Sequence, residues 1–394
     1  MKTKIGVLFG GRSTEHEISV ISANQAMHAI DKEKYDVIPI FINKDGKFYT
    51  GNALFEIKEY RNPNDLVKKC IEVFLKPVYG DYNLYTYKKG VFKNALSVVT
   101  SIDVMVPVLH GANGEDGAVQ GLLQIIGIPY AGCDILASAN GMDKITMKMI
   151  LRSQNIPVVD FVWFTDNGWH KNKEDIINKI ESELHYPVIV KPSNLGSSVG
   201  IGKAANRDEL VIKIKEAEKF SNRLIVEKLV EDLQEINCAV LGTCDDFKTS
   251  VLEEPLKTGD FLSYKDKYMG GGKTKGMQAS SKRIPAELPE ELTNKIHYYA
   301  GETFRVLGCE GVSRVDVIVD KKDGSVYVNE INTIPGSLSF YLWEATGISF
   351  SELMNTLIKL ALRRKREESG KTFSFDQNIF AMGGGTKGAK GFNK

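Results

Sequence analysis

The chain has 394 residues, 42% hydrophobic and 26% charged, a globular balance that excludes a mainly disordered, collagen-like or fibrous protein. Its length suits two or three domains. With 51 Lys and Arg against 50 Asp and Glu the net charge is +1, so no global basic field draws the chain to nucleic acid or an anionic membrane. No stretch approaches the ~20 apolar residues of a membrane span, and the apolar run 5–9 is too short for a signal-peptide core. The cysteines number five, none in a C-x-x-C pair, and read as reduced thiols of a cytoplasmic protein. The histidines lack H-E-x-x-H spacing, which argues against zinc.

In chain order, residues 5–9 predict a first strand ended by Gly10-Gly11, and Ser13 and Thr14 are candidate caps for a helix starting near Glu15. Residues 35–42 and 103–109 predict further strands, and 118–126 a helix closed by Gly127. Strands alternating with helices predict an open parallel sheet over residues 1–132. A second unit, 133–234, contains a helix over 137–153, strands at 158–164, 187–191 and 224–230, and a helix near 207–219. A third, 235–366, ends in an amphipathic helix from Phe350 to about Arg364. Inside it, residues 257–283 are polar and Gly/Lys-rich, a composition expected of a mobile lid. The tail, 367–394, has no apolar period and reads as flexible.

The most informative segment is GVSRVDVIVDKKDGSVYVNEINTIPG, residues 311–336. It predicts a hairpin. A three-residue loop, Lys322-Asp323-Gly324, would set Asp316 opposite Glu330 and Arg314 opposite Asn332, all on one face. Two carboxylates, an amide and a guanidinium there make a hard oxygen site with a cation beside it, suited to Mg²⁺ carrying phosphates. The alternative is a solvated face with cross-strand salt bridges.

In PVIVKPSNLGSSVGI, Lys191 ends an apolar strand, and Gly196, Ser197, Ser198 and Gly200 form a loop able to wrap phosphate. A plain hairpin loop is the alternative. In HGANGEDGAVQG, the glycines allow close ligand approach. His110, there, and Glu15 follow strand ends, where open α/β sheets bind ligands. His110 is equally well an ordinary strand-end residue, and Lys144 an ordinary solvated helical lysine. Gly272-Lys273-Thr274 is not a P-loop, and Gly10-Gly11 lacks the rest of a dinucleotide fingerprint.

Taken together, GGRSTEHEIS, HGANGEDGAVQG, GMDK, PVIVKPSNLGSSVG, LIVEK, YKDKY, SRVDV and NEINTIPG resemble the D-alanine–D-alanine ligase family of the ATP-grasp superfamily, in that family's order. The resemblance implies an α/β fold of three units: an N-terminal open parallel sheet and two α+β subdomains enclosing ATP. It implies an ATP-dependent carbon–nitrogen ligase that makes D-alanyl-D-alanine for peptidoglycan, the wall polymer that sets cell shape. Lys144 and Lys191 look like its phosphate-contacting lysines, with Ser197 and Ser198 in the Gly-rich loop and Lys267 reaching the phosphates from the lid. Glu227 and Lys228 match the adenine edge, and Glu235 the ribose site. Asp316, Glu330 and Asn332 match the ligands of two Mg²⁺, for which Mn²⁺ can substitute. Arg314 and the N–H of Gly336 match the oxyanion stabilisers. Glu15 matches the holder of the first D-alanine's ammonium, linked to Ser197 and Tyr268, while His110 lies by the substrate. Tyr268 favours D-alanine over D-lactate as acceptor. The family is commonly dimeric.

Three features depart from the family pattern. The segment after Gly336 is shorter than usual, leaving Ser339 as the candidate for the acceptor carboxylate. The run LVEDLQ before Glu235 lacks the usual glycine. The lid and tail are Gly/Lys-rich. The first departure motivates an alternative acceptor, D-serine or another amino acid. A non-catalytic nucleotide-binding module is a further alternative.

Overall fold

The computed structural model describes residues 2–88, 95–196, 199–256 and 282–375. Ser197, Ser198, Lys267, Tyr268, nearly all of the expected lid and residues 376–394 of the tail lie outside the described residues.

The first sheet contains β1 (Thr3–Gly10), β2 (Tyr35–Ile42), β3 (Phe48–Thr50), β4 (Ile71–Leu75), β5 (Asn83–Lys88), β6 (Ala95–Ser101) and β7 (Val104–Leu109), in the order β6-β5-β4-β3-β2-β1-β7. The expected parallel pairing holds only where β1 lies between β2 and β7. The strands from β2 to β6 form an antiparallel meander. Burial explains the split. β1 and β7 are almost wholly enclosed, as parallel strands covered by helices must be, whereas β6 is half exposed, as an antiparallel strand can be.

The second sheet is antiparallel: β8 (Phe161–Thr165), β9 (Val188–Pro192), β10 (Gly202–Ala204) and β11 (Arg223–Lys228), ordered β10-β9-β11-β8. The third is also antiparallel: β12 (Leu233–Thr243), β13 (Phe247–Pro255), β14 (Lys282–Arg283), β15 (Glu310–Asp320) and β16 (Val326–Asn332), ordered β14-β13-β12-β15-β16.

The helix His16–Ala29 starts on Glu15 without a side-chain cap. Ser13 Oγ instead accepts the Glu15 N–H at 3.1 Å and donates to the His110 carbonyl at 2.7 Å, joining the ends of β1 and β7. The single helix expected over 137–153 is two, Ile135–Met142 and Lys144–Ser153. Asp143 breaks them, because it adopts an extended conformation and its carboxylate caps the Thr146 N–H at 2.8 Å.

Residues 133–158 contribute to the third sheet's core rather than the central one: Cys133, Ala137, Ile145, Met147 and Leu151 cluster with Val315, Val317, Val328 and Ile331. The final helix runs on to Ser369, opened by a Ser349–Glu352 capping box. Its buried stripe, Phe350, Leu353, Met354, Leu357, Ile358 and Ala361, repeats at three and four residues and packs beneath β1 and β7. Arg364 fastens it by donating to the Tyr130 and Gly132 carbonyls at 2.5 and 2.8 Å. The last helix among the described residues therefore closes the first unit.

Candidate active site

A cavity of about 620 Å³ is lined by strands of the second and third sheets and by the first helix and strand-end loops of the N-terminal unit. Its size suits a small-molecule ligand. Of the residues expected at the site, Glu15, His110, Lys144, Lys191, Glu227, Lys228, Glu235, Arg314, Asp316, Glu330, Asn332 and Gly336 line it. Ser339 does not.

The β15–β16 hairpin brings Asp316 opposite Glu330 and Arg314 opposite Asn332. The expected pairing occurs, but not through the expected loop. Asp320 N–H bonds to Ser325 O at 2.8 Å, so the loop has four residues, Lys321–Gly324, rather than three. Gly324 takes the left-handed conformation, φ +75°. That loop alone would turn Glu330 to the opposite face. A bulge corrects the register: Val317 pairs with Val328, Asp316 with Glu330, and Asn329 is the extra residue.

Basic groups hold the carboxylates of this face. Arg314 binds Asp316 through two N–H groups, at 2.6 and 2.7 Å, and Asn332 donates to Asp316 at 3.1 Å. Lys144 lies 3.0 Å from Glu330 and donates to the Leu195 carbonyl at 2.9 Å. Burial works against its charge, but Glu330 raises its pKa, so Lys144 is an ammonium. Its place follows from Asp143, whose carboxylate accepts from Ser193 Oγ at 2.7 Å and Arg223 at 2.8 Å, while the Lys144 N–H bonds to Ser193 O at 2.8 Å. The helix start is thereby tied to the end of β9.

Among the described residues no three His, Cys, Asp or Glu side chains form a metal cluster. The donor set is two carboxylates and an amide. That chemistry fits a hard divalent cation whose shell is completed by phosphate oxygens or water.

On β9, Lys191 donates to Glu227 at 2.8 Å and to Asn329 Oδ1 at 3.1 Å, joining the second sheet to the third. Glu227 also faces Lys148 at 3.1 Å. Burial opposes its charge, but the two lysines hold its carboxyl down at about 2. Lys228, on the same strand, is exposed at the cavity rim.

At the N-terminal wall, Glu15 sits so close to Gly111 that a Cβ there would come within 2.8 Å of its carboxylate. Gly111 is also left-handed, at φ +72°, and glycine alone satisfies both conditions. His110 is buried. Its Nδ1 lies 2.9 Å from the Ile334 carbonyl and its Nε2 2.9 Å from Ser22 Oγ, which itself accepts the Ser337 N–H at 2.9 Å. These bonds assign Nδ1–H as donor and Nε2 as acceptor. Burial lowers the His110 pKa to about 4, which keeps the ring neutral. Glu115 accepts N–H bonds from Gly111 at 2.9 Å and Ile334 at 3.2 Å. Burial, with the nearby Glu15 charge, pushes its carboxyl up to about 8. Ser22, His110 and Glu115 thus clamp the turn that carries Gly336 onto the first sheet.

Beyond Gly336, residues Ser337, Leu338 and Ser339 are all left-handed, with φ of 51°, 54° and 50°. The run dives into the core. Ser339 is fully buried and its Oγ has no hydrogen-bond partner among the described residues. Phe340, Tyr341 and Glu344 supply the cavity wall instead. Tyr341 donates to Glu253 at 2.9 Å, and Glu253 also accepts from Asn237 at 3.0 Å.

Ser22, Glu115, Lys148, Glu253, Asn329 and Tyr341 escaped the sequence reading. Lys148 alone carried a readable signal: four residues after Lys144, it shares that residue's helix face.

The second and third sheets meet the N-terminal unit's first helix and loops around a cavity of buried lysines and a carboxylate–amide face, an α/β arrangement whose chemistry suits a phosphate-bearing ligand, and comparison with known proteins narrows this. The D-ala D-ala ligase N-terminus family matches residues 4–133, and the D-ala D-ala ligase C-terminus family matches residues 150–359. A D-alanine–D-alanine ligase of Caldicellulosiruptor bescii is 43% identical over 383 residues, covering 95% of this chain and 99% of that one. The solved VanG D-Ala:D-Ser ligase of Enterococcus faecalis superposes with a TM-score of 0.78 at 32% identity, covering 92% of this chain and 100% of that one. The D-alanine–D-alanine ligase of Bacillus anthracis, solved with ATP, gives 0.65 at 26% identity, covering 93% and 99%. The chain belongs to the D-alanine–D-alanine ligase family.

Proposed function

We propose that this protein is an ATP-dependent ligase that joins two D-alanines through a D-alanyl phosphate, supplying D-alanyl-D-alanine to peptidoglycan synthesis in the cytoplasm. One observation carries the reading. A single cavity holds Lys144 and Lys191 beside a face of Asp316, Glu330 and Asn332, with Arg314 and Gly336 adjoining. Lysines suit the triphosphate, and the carboxylate–amide face suits the ions that accompany it.

The first D-alanine's carboxylate attacks the γ-phosphorus, giving an acyl phosphate and ADP. Glu15 holds its ammonium, beside the neutral strut His110. Lys144 and Lys191 bind the phosphates, Glu227 and Lys228 border the adenine, and Glu235 borders the ribose. Asp316, Glu330 and Asn332 would hold two Mg²⁺, or Mn²⁺ in their place, which neutralise anionic repulsion when bound. The second amine then attacks the acyl carbon and phosphate leaves. Arg314 and the Gly336 N–H stabilise the oxyanion, a role in which losing one donor typically costs ~10²–10³ in rate. Ser197, Ser198, Lys267 and Tyr268 complete the reading from the loop and lid, which exclude water from the acyl phosphate. A homodimer belongs to the same proposal, and light scattering tests it.

The deciding experiment is phosphate release from ATP with Mg²⁺ and D-alanine alone, with mass spectrometry of the product. Release with D-alanyl-D-alanine formed supports the reading; no release with any amino acid overturns it. A second reading, D-serine or another amino acid as acceptor, draws on the buried Ser339 and the likeness to a D-Ala:D-Ser ligase. A mixture of amino acids yielding only D-alanyl-D-alanine would end it.

A further inference from the structure

Lys148 has no place in the reaction described above, yet its side chain is 0% exposed. Its ammonium faces Glu227 Oε1 at 3.1 Å and meets no other hydrogen-bond acceptor among the described residues. Burial lowers its pKa to about 8, against the pull of Glu227. Enclosing a lysine this completely is costly even beside a carboxylate, so packing alone does not account for it.

The charges around it suggest a task. Glu227 gives one carboxylate oxygen to Lys148 and the other to Lys191. Two ammoniums and one carboxylate leave the group with one positive charge. Without Lys148, Glu227 would be matched to Lys191 alone and would neutralise it. Lys148 is not among the cavity-lining residues, whereas Glu227 and Lys191 are.

We propose that Lys148 is a positioning residue for nucleotide binding: by sharing the Glu227 carboxylate, it leaves the Lys191 charge available to the phosphates of ATP. The inference rests on the ATP-site reading above. It predicts a specific pattern, because removing Lys148 lifts a desolvation cost while spoiling the charge balance at Lys191. Stability and nucleotide affinity should therefore separate.

The test compares wild type, Lys148→Met, Lys148→Gln, Glu227→Gln and the Lys148→Met/Glu227→Gln pair. Calorimetry measures binding of Mg²⁺ with a non-hydrolysable ATP analogue, steady-state assays give KM for ATP and D-alanine, and thermal unfolding gives Tm. Both single Lys148 variants should weaken nucleotide binding about tenfold and raise the KM for ATP alike, leaving the KM for D-alanine within about twofold. Tm should not fall. In the Glu227→Gln background, where there is no carboxylate to share, Lys148→Met should change affinity by less than about twofold. A lower Tm with unchanged ATP KM, or an equal affinity loss in both backgrounds, overturns the proposal. If Lys148→Met does not fold, Lys148→Gln carries the test, and wild-type affinity in that variant refutes it. Failure of wild type to bind the nucleotide would overturn the ATP reading itself, a different result from unchanged binding in the variants.

Discussion

Replacing Glu115 with glutamine should alter how stability depends on pH. The carboxyl ionises at an ordinary 4.5 in a solvated chain and at about 8 in the folded protein, because burial and the Glu15 charge disfavour its anion. The folded state therefore keeps a proton that the unfolded chain releases. Its contribution to stability is complete below about pH 4.5 and is lost as pH rises through about 8. One proton corresponds to about 1.4 kcal/mol per pH unit, or about 3 kcal/mol between pH 5.5 and 7.5. Glutamine carries no such proton. It also replaces one acceptor oxygen with an amide nitrogen, although Glu115 accepts from both Gly111 and Ile334. That loss costs ~1–3 kcal/mol at every pH. The slope of the difference therefore reports the titration, and its offset reports the hydrogen bond. Urea denaturation of both proteins across this range, without ligands, measures the two separately. Wild type should lose its advantage as pH rises. Two curves separated by a constant would show that Glu115 is ionised throughout, and the burial argument would fail.

Glu330→Gln should keep the fold and abolish Mg²⁺-dependent turnover; full activity in a phosphate-release assay would refute its place at the metal face. Lys191→Ala should mainly weaken nucleotide binding, about tenfold or more by calorimetry, and unchanged affinity would count against the phosphate role. Ser339→Ala should leave the acceptor KM unchanged and raise stability by ~1 kcal/mol, since the hydroxyl is buried without a partner. A large rise in acceptor KM would return Ser339 to the acceptor site.

The sequence by itself determined the parts that rest on local chemistry. The buried runs of β1 and β7, the helix closed by Gly127 and the stripe of the last helix are apolar periods with local stop signals. The site segments were readable because glycines, lysines and paired carboxylates stand in short blocks at strand ends. What was missed depends on contacts distant in sequence. The meander runs through β3, only three residues long, and β4 to β6, short, partly exposed strands with weak periodicity. Asp143 breaks a helix because Ser193, just after β9, and Arg223 on β11 hold its carboxylate. Ser339 seemed available because its burial comes from a left-handed run that no local pattern announces.

The hairpin shows the division most clearly. Its sequence determines that two carboxylates lie on strands joined by a turn with glycine at its left-handed position. Whether they share a face depends on a one-residue register, and a slip reverses every side chain. The loop is one residue longer than the sequence suggested, and the Asn329 bulge restores the pairing. The same bulge brings Asn329 to Lys191 on another sheet. That contact joins residues far apart in the chain, so only the tertiary structure could decide it.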